Sequence, residues 1–384
     1  MTKFIFASAL TLSLAAGISA AHAEEADAVA FGFVYKGDVA GVVSGGRSQA
    51  GRYLDNIELT ADVSLERLLG WGGAQLYAHA LSNSGGAPND IAETLQGVDN
   101  IEVERPRAKL YQLWIAQEFA GGRGSVLAGL YDLNSEFYVT ETAGDLIAPA
   151  FGIGSELAAT GPNGPSIFPS TALSLRLRWS LGAHQQIQIA AVNAHAGVLG
   201  DPSGVDTEFD DGALLIGEWS YAGAATLRAG YWRYSEEQDD VRDTDGLGAP
   251  VQRTAHGGYV SLEGPLMGDA VRGFVRVGLA DGHTTDFAGG WQAGVRVGPV
   301  FAARPDSVFA IGANQGVVSS GFRENQRDVG IDPARAESAI ELTYSDRIHP
   351  YVTLQPDLQL IHNPGADRNR DDVVVATLRV IVEL

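Results

Sequence analysis

Apolar and polar residues alternate in short runs from about Gly32 to the end of the chain. The last run places Val374, Ala376, Leu378, Val380, Val382 and Leu384 on one side, and Val375, Thr377, Arg379, Ile381 and Glu383 on the other. A period of two predicts a β-strand with one face in an apolar medium and one in a polar medium. Sixteen such runs predict an all-β protein, a transmembrane antiparallel β-barrel with a wet interior.

The predicted strands are 30–37, 52–66, 73–82, 107–119, 124–132, 171–180, 185–195, 212–221, 224–234, 254–263, 270–280, 289–298, 307–316, 336–345, 350–361 and 373–384. The connections between them also alternate. Those after even-numbered strands are short, whereas most of those after odd-numbered strands are long and polar: 83–106, 133–170, 196–211, 235–253 and 317–335. Short periplasmic turns and long external loops are typical of outer-membrane barrels.

Charged residues follow the same alternation. Arg176 and Arg178 alternate with Leu175 and Leu177, and Arg276 stands between Val275 and Val277. A charge on the lipid face costs about 2–4 kcal/mol at the bilayer midplane, so we expect these arginines to face the lumen. Aromatic residues of the opposite parity gather at the periplasmic ends of even-numbered strands and predict an interfacial girdle. They are Phe119, Trp179, Trp219, Tyr221 and Tyr344.

The first residues predict export. Lys3 precedes an apolar stretch from Phe4 to Ile18, and Ala21-His22-Ala23 is a small-x-small cleavage site. This pattern is typical of a secretory signal peptide over residues 1–23, which leaves residues 24–384 as the mature barrel. The chain has no cysteine, so disulfides and thiol chemistry are excluded. Its formal charge of −21 argues against a nucleic-acid partner.

A series of short motifs in fixed order resembles the carbohydrate-selective porin (OprB) family over essentially the whole mature length. The motifs are Tyr35-Lys36-Gly37-Asp38, Gly45-Gly46, Leu54-Asp55-Asn56, Leu110-Tyr111-Gln112-Leu113-Trp114, Tyr131-Asp132-Leu133-Asn134-Ser135-Glu136-Phe137, Glu141-Thr142-Ala143, Phe151-Gly152-Ile153-Gly154, Gly164-Pro165-Ser166-Ile167-Phe168-Pro169, Leu175-Arg176-Leu177-Arg178, Leu354-Gln355-Pro356-Asp357-Leu358-Gln359 and Asn363-Pro364-Gly365.

The resemblance implies a sixteen-stranded barrel of the bacterial outer membrane, an in-folded loop that narrows the pore, and passive diffusion of monosaccharides such as glucose. Three positions depart from expectation. The chain ends in Leu384 rather than an aromatic residue, and Gln112 stands where many members of the family have Glu. Pro356 interrupts a strand, which predicts a bulge or a locally unpaired position.

The connection 133–170 is the candidate constriction, because long loops are usually functional or disordered and this one carries several apolar residues that need a surface to pack on. A sugar has an apolar ring face and a rim of hydroxyls, so a selective pore needs donors, acceptors and an aromatic plane. We expect the constriction to be formed by Arg176 and Arg178 with one or more of the acids Glu118, Glu136, Glu141 and Asp145, and Trp114 to offer a stacking surface. An external lid, and wall charges that only balance one another, are the alternatives.

Enzymatic signals are weak. The sequence has neither G-x-S-x-G nor H-E-x-x-H, and its histidines lack ligand spacing. Asp243-Thr244-Asp245-Gly246 matches a calcium loop only in part, and the sequence does not decide whether acidic loops bind divalent cations near lipopolysaccharide.

No cofactor is expected. The predicted partners are small sugars, outer-membrane lipid and lipopolysaccharide, in a monomer or a trimer. A general or ion-selective porin is the alternative function, and an outer-membrane hydrolase is a remote one.

Overall fold

The computed structural model describes residues 27–384, so the predicted signal peptide lies outside the described residues and stays a prediction. Sixteen antiparallel strands form one closed barrel in which each strand pairs with its neighbours in sequence and β1 pairs with β16. The strands are β1 Val29–Ser44, β2 Gly51–Ser64, β3 Ala74–Gly85, β4 Arg107–Phe119, β5 Gly124–Tyr131, β6 Ala172–Ser180, β7 Gln185–Asn193, β8 Ala213–Ala222, β9 Thr226–Thr244, β10 Pro250–Met267, β11 Val271–Ala280, β12 Phe287–Val297, β13 Val308–Val318, β14 Ala336–His349, β15 Val352–His362 and β16 Val373–Glu383.

Helices occur only as short pieces in the connections of the described chain. The α-helices are α1 Leu65–Leu69, α2 Asn89–Ala92, α3 Ser155–Ala158 and α4 Ser320–Asp328, and single 3₁₀ turns occupy Leu133–Ser135, Glu141–Ala143, Pro149–Phe151 and Pro364–Ala366. No helix in residues 27–384 combines the length and the apolar character needed to cross a bilayer.

The alternation of apolar and polar residues sets the two faces of the barrel. Leu175 is 55% exposed on the outer surface, whereas its neighbour Arg176 is 1% exposed. The same contrast separates Val275 and Val277 from the buried Arg276. On the outer surface, the rings of the girdle residues Phe119 and Trp179 lie 5.8 Å apart. The prediction of sixteen strands with charges directed inward is therefore confirmed.

The structure corrects several element boundaries, among them that of β1, which runs to Ser44 where the sequence predicted an end at residue 37. The predicted loop 235–253 is mostly strand, because β9 and β10 continue outward as a hairpin arm that turns at 245–249. The arm meets polar surroundings, since Arg242 lies 2.7 Å from Glu324 and 2.8 Å from Asp328 on α4, so its sequence lacks the apolar alternation that marks a membrane strand. Residues 65–66, predicted to end the second strand, begin α1, where Ser64 accepts a hydrogen bond from the backbone N–H of Arg67 and Gly70 ends the helix with a positive φ.

Two unusual positions are accommodated locally. At Pro356 the ladder to β14 is interrupted, since Thr343 pairs with Asp357 and Asp346 with Leu354 but no pair lies between them. Pro356 is thus unpaired toward β14 but still pairs with Leu378 on β16, so the predicted loss of pairing is confined to one of its two neighbouring strands. The terminal Leu384 exchanges two backbone hydrogen bonds with Phe33 next to the seam of the barrel.

The main apolar core lies inside the barrel. Residues 132–171, here called the constriction loop, leave β5, enter the lumen and return to β6. Apolar residues of this loop pack against the inner faces of β7 to β10; they include Leu133, Phe137, Tyr138, Ile153 and Leu157 on the loop and Val192, Leu214, Ile216, Trp232 and Tyr259 on the wall. The expectation that the apolar loop residues pack on the wall is confirmed.

Candidate functional site: the lumen constriction

Glutamates of the barrel wall fix the path of the constriction loop. The constriction loop has an irregular backbone, so its N–H groups are not paired within a helix or a sheet. Where the loop is buried against the wall, these groups need acceptors from the protein. Buried carboxylates supply these acceptors along one side of the lumen. The pairs are Glu218 with the N–H of Tyr138 (3.0 Å), Glu263 with that of Thr142 (2.8 Å), and Glu341 with those of Ile147 and Ala148 (2.9 Å to Ala148).

Arg276 on β11 satisfies the loop's carbonyl groups. Its guanidinium donates to the backbone oxygens of Ala150 (2.7 Å), Gly152 (3.1 Å) and Tyr138 (3.2 Å), and it lies 4.7 Å from the centre of the Tyr138 ring. Next to it, a Cβ on Gly278 would overlap the Glu156 carboxylate and the Tyr138 hydroxyl. Glycine at this position therefore allows the loop to approach the wall closely.

Arg176, Arg178 and Glu136 form an ion-pair cluster where the loop enters the lumen. The Nε atom of Arg176 lies 2.7 Å from Glu136 Oε2, and Arg178 Nη1 lies 3.3 Å from Glu136 Oε1. Tyr131 donates its hydroxyl to the same carboxylate at 2.8 Å. Arg176 also donates to the hydroxyl of Ser125 at 2.9 Å, so this arginine fastens the loop to the wall.

A second loop, residues 86–106 between β3 and β4, supports the constriction loop. Glu337 on β14 accepts the backbone N–H groups of Leu95 (2.8 Å) and Gln96 (3.0 Å) in this second loop. The backbone N–H of Asn100 donates to the carbonyl of Ile147 at 3.1 Å, which joins the two loops directly. The tip of the constriction loop thus rests on a second fixed segment.

An open cavity of about 270 Å³ lies between the constriction loop and strands β1, β14, β15 and β16. Its polar lining is Lys36, Asn100, Asn134, Thr140, Asp145, Ser345, Thr353, Gln355, Arg379 and Glu383. Most of its charges are paired with neighbours. Lys36 lies 3.0 Å from Glu58, Asp145 lies 2.6 Å from Arg296, and Arg379 lies 2.6 Å from Asp38 and 3.3 Å from Asp99.

The predicted site residues separate into three groups. Glu136, Arg176 and Arg178 come together at the root of the constriction loop, and Asp145 lines the cavity. Glu141 is exposed on the loop, and Glu118 is exposed near the periplasmic end of β4; neither joins the arginine cluster. Trp114 is 3% exposed and stacks on Tyr77 with ring centres 5.1 Å apart.

Arg176 faces inward as expected, but it is not open to the water of the lumen. Its side chain is covered by Glu136 and by the wall around Ser125, because the constriction loop lies against β6. Trp114 is likewise covered, so the ring that remains partly accessible in this stack is that of Tyr77.

Sequence reasoning missed most residues that line the cavity. Lys36 and Arg379 have lumen parity and could have been found from the alternation on β1 and β16. Asn100 could not have been found in this way, since it lies in a loop and reaches the lumen only because that loop folds inward. In the same way, Glu337 and Glu341 look like ordinary lumen charges until the loops are placed.

The partial calcium-loop motif forms no free acidic site. Asp243 lies near Asp240 and His283, but Arg253 contacts both carboxylates, at 2.7 Å for Asp240 and 3.0 Å for Asp243. Asp245 caps the turn by accepting the N–H groups of Leu247 and Ala249. These contacts are those of a structured hairpin arm.

A closed sixteen-stranded barrel with an in-folded loop and a polar lumen defines a porin. The chain belongs to the carbohydrate-selective porin, OprB family, whose model matches residues 48–384. It is accordingly a sugar-selective channel of the bacterial outer membrane, and both family and fold indicate a channel rather than an enzyme.

Individual relatives agree with this assignment. Porin B of Pseudomonas aeruginosa is 26% identical over 395 residues, covering 91% of this chain and 86% of that protein. The high-pH structure of Pseudomonas putida OprB is similar with a TM-score of 0.85 and 23% identity, covering 93% of this chain and 94% of that one. The outer membrane channel DcaP of Acinetobacter baumannii shares the fold with a TM-score of 0.60 and 9% identity, covering 93% and 97% of the two chains.

Proposed function

We propose that small neutral sugars of the glucose type diffuse passively and saturably through the cavity beside β1 and β14 to β16. The observation that carries this proposal is the charge balance of the opening. Lys36, Arg379 and Asp145 each have an opposite charge within 3.0 Å, so their fields largely cancel at a distance. An opening of this kind favours a neutral solute over an ion.

The remaining lining suits hydroxyl groups. Thr140, Thr353 and Ser345 carry hydroxyls that both donate and accept hydrogen bonds, and the amides of Asn134 and Gln355 do so with separate atoms. Some of these groups already bind the loop; for example, the Gln355 amide donates to the backbone oxygen of Asp145 at 2.6 Å. A sugar passing the opening would meet alternating donors and acceptors along its rim.

The constriction cluster of Glu136, Arg176 and Arg178 has an indirect part in this proposal. It holds the loop that forms one side of the opening, and Arg178, which is more exposed than Arg176, is its best-placed member for contact with solute. Glu118, near the periplasmic end of β4, and Glu141, next to the Thr142 that bonds Glu263 near the periplasmic end of β10, add negative charge on the periplasmic side of the pore.

Liposome swelling with purified protein tests the proposed function. We expect glucose to enter faster than an open-chain polyol of the same size, and its rate to saturate with concentration. In planar bilayers, added glucose should reduce the ion current through the open channel. Equal permeation by both solutes, with an ion current unaffected by sugar, would contradict the proposal and favour a general or ion-selective porin.

The outer surface supports a proposal about lipid contacts. Leu59, Leu177 and Val277 are exposed there, as apolar residues in a hydrocarbon medium would be. We propose that outer-membrane lipid covers this belt of the barrel.

A further inference from the structure

An aromatic stack lies on the lumen face of β3 and β4. Tyr77 and Trp114 are paired across the two strands, with ring centres 5.1 Å apart and planes inclined by 25°. Their parity is inward, because Ala78, the neighbour of Tyr77, lines an apolar groove on the outer surface. Trp114 is buried and Tyr77 is only half-buried, so Trp114 backs the ring that Tyr77 presents.

A polar row runs beside this stack across β1, β2 and β3. Lys36 Nζ lies 3.0 Å from Glu58 Oε1, and Asn56 donates to the same oxygen at 2.6 Å. The other oxygen, Glu58 Oε2, lies 3.4 Å from the Nε2 atom of His79. The row therefore offers a cation, a carboxylate and an imidazole in succession.

His79 has hydrogen-bonding capacity that the protein does not use. Its side chain is 6% exposed, yet neither ring nitrogen makes a hydrogen bond to a protein group. The edge of its ring meets Tyr111 with centres 5.0 Å apart, and the ring of Tyr77 lies 6.3 Å away. Both ring nitrogens are closed to solvent and Nε2 faces the Glu58 carboxylate, so His79 acts by positioning Glu58 rather than by contacting a solute.

We propose that Tyr77, backed by Trp114, is the stacking platform of a sugar-binding subsite whose hydrogen-bonding rim is Lys36 and Glu58, with His79 positioning Glu58 from beneath. A pyranose has an apolar ring face that fits an aromatic plane and hydroxyls that fit mixed donors and acceptors. The carboxylate of Glu58 disfavours an anionic solute. Lys36 also lines the cavity, so the subsite shares this residue with the opening.

This inference rests on the proposed function, and the experiment separates the two. Single channels in planar bilayers are titrated with glucose, and the binding constant is taken from the reduction of ion current. We expect Tyr77→Ala and Tyr77→Leu to weaken glucose binding by about tenfold, and Tyr77→Phe to stay within about twofold of the wild type, because only the first two lose the aromatic plane. His79→Ala should weaken binding by about fivefold.

The matched control is Tyr231→Ala, which removes an aromatic ring from the outer surface and should leave glucose binding unchanged. Tyr77→Leu keeps apolar packing against Trp114, so it replaces the alanine variant in the titration if that variant does not fold. Folding is judged by heat-modifiable migration on gels. Unchanged glucose binding in a folded Tyr77→Leu channel would overturn the subsite and leave the proposed function intact. A wild-type channel that glucose does not block would overturn both.

Discussion

Two parts of the lumen wall differ in what their polar side chains contact. On β1 to β3 these side chains bond to one another: Lys36 and Asn56 to Glu58, and Gln75 to Asp62 at 2.8 Å. On β6 to β14 they bond instead to the backbone or the acids of the two in-folded loops. Examples are Arg176 with Glu136, Arg276 with three loop carbonyls, and Glu337 and Glu341 with loop N–H groups.

The difference shows that lumen parity alone does not make a residue pore-lining. The inner faces of both parts carry charged side chains, but one part has an irregular backbone lying against it. That backbone must be hydrogen-bonded wherever it is buried, so the wall residues beneath it become structural. We therefore expect substitutions on the loop-bearing part to change stability first, and those on the open part to change permeation first.

The largest effect is expected for Arg176→Ala. The change leaves the buried Glu136 carboxylate with Tyr131 and the partly exposed Arg178 as its remaining partners. Removing one partner of a buried ion pair costs about 3–5 kcal/mol, which should lower the urea midpoint of unfolding and destabilise the loop root. The control Arg178→Ala, two residues along the same strand, should cost far less. If the two variants lose equal amounts of stability, then Arg176 does not hold the loop to the wall more strongly than the partly exposed Arg178 does.

Glu337→Ala should have the next largest effect. It leaves the N–H groups of Leu95, Gln96 and Gly365 without their acceptor, at about 1–3 kcal/mol for a buried polar group left unpaired. We expect protease cleavage within residues 86–106 and a noisier ion current, since the second loop supports the first. Glu337→Gln keeps one carbonyl acceptor and should give an intermediate result. If the alanine variant is cut no faster than the wild type, the second loop does not depend on this residue.

The sequence predicted the barrel well because a strand in a membrane has only two faces and a strict period. The sequence also named Arg176, Arg178 and Glu136, which the structure brings together, but their part in the constriction stays a prediction. The alternation also placed Glu337, Glu341 and Arg276 inward, but it could not show that loops would cover them. Whether a loop covers an inward residue depends on contacts between residues more than a hundred positions apart, such as Arg276 with Ala150 and Glu341 with Ala148.

The aromatic prediction shows the same limit. Trp114 has lumen parity, and a lone tryptophan on a lumen strand is a reasonable stacking surface. The pairing of β3 with β4 sets Tyr77 against it, and the covered member of such a pair cannot be identified from either strand alone. The hairpin arm of β9 and β10 was missed for another reason, because strands in polar surroundings have no apolar period.

On the open part of the wall, Lys36→Met should change permeation more than stability. Lys36 is partly exposed and the buried Glu58 keeps the amide of Asn56 as a donor, so losing this ion pair should cost less than the loss of about 3–5 kcal/mol expected for Arg176→Ala. The opening would keep Glu58 and lose a cation, and we expect the reversal potential in a salt gradient to shift toward cation selectivity. Lys36→Arg keeps the charge and should keep the wild-type potential. A stability loss as large as that of Arg176→Ala would show that the two parts of the wall do not differ in this way.

The smallest effect concerns Glu102, which lies in the second loop next to Ile101, a residue packed on Ala40 of β1 and Leu54 of β2. Burial raises the pKa of its carboxyl to about 7, although the backbone N–H of Asn89 donates to it at 3.0 Å. Because the folded protein holds this proton more tightly than the unfolded chain does, the contribution of Glu102 to stability is greatest below about pH 4.5 and is lost as the pH rises through 7. Hydrogen exchange of residues 86–106, corrected for intrinsic rates, should therefore be faster at pH 8.5 than at pH 5.5, and Glu102→Gln should remove the difference. If the difference persists in the glutamine variant, another group controls this loop, and the second loop cannot be treated as independent of the charged wall beneath it.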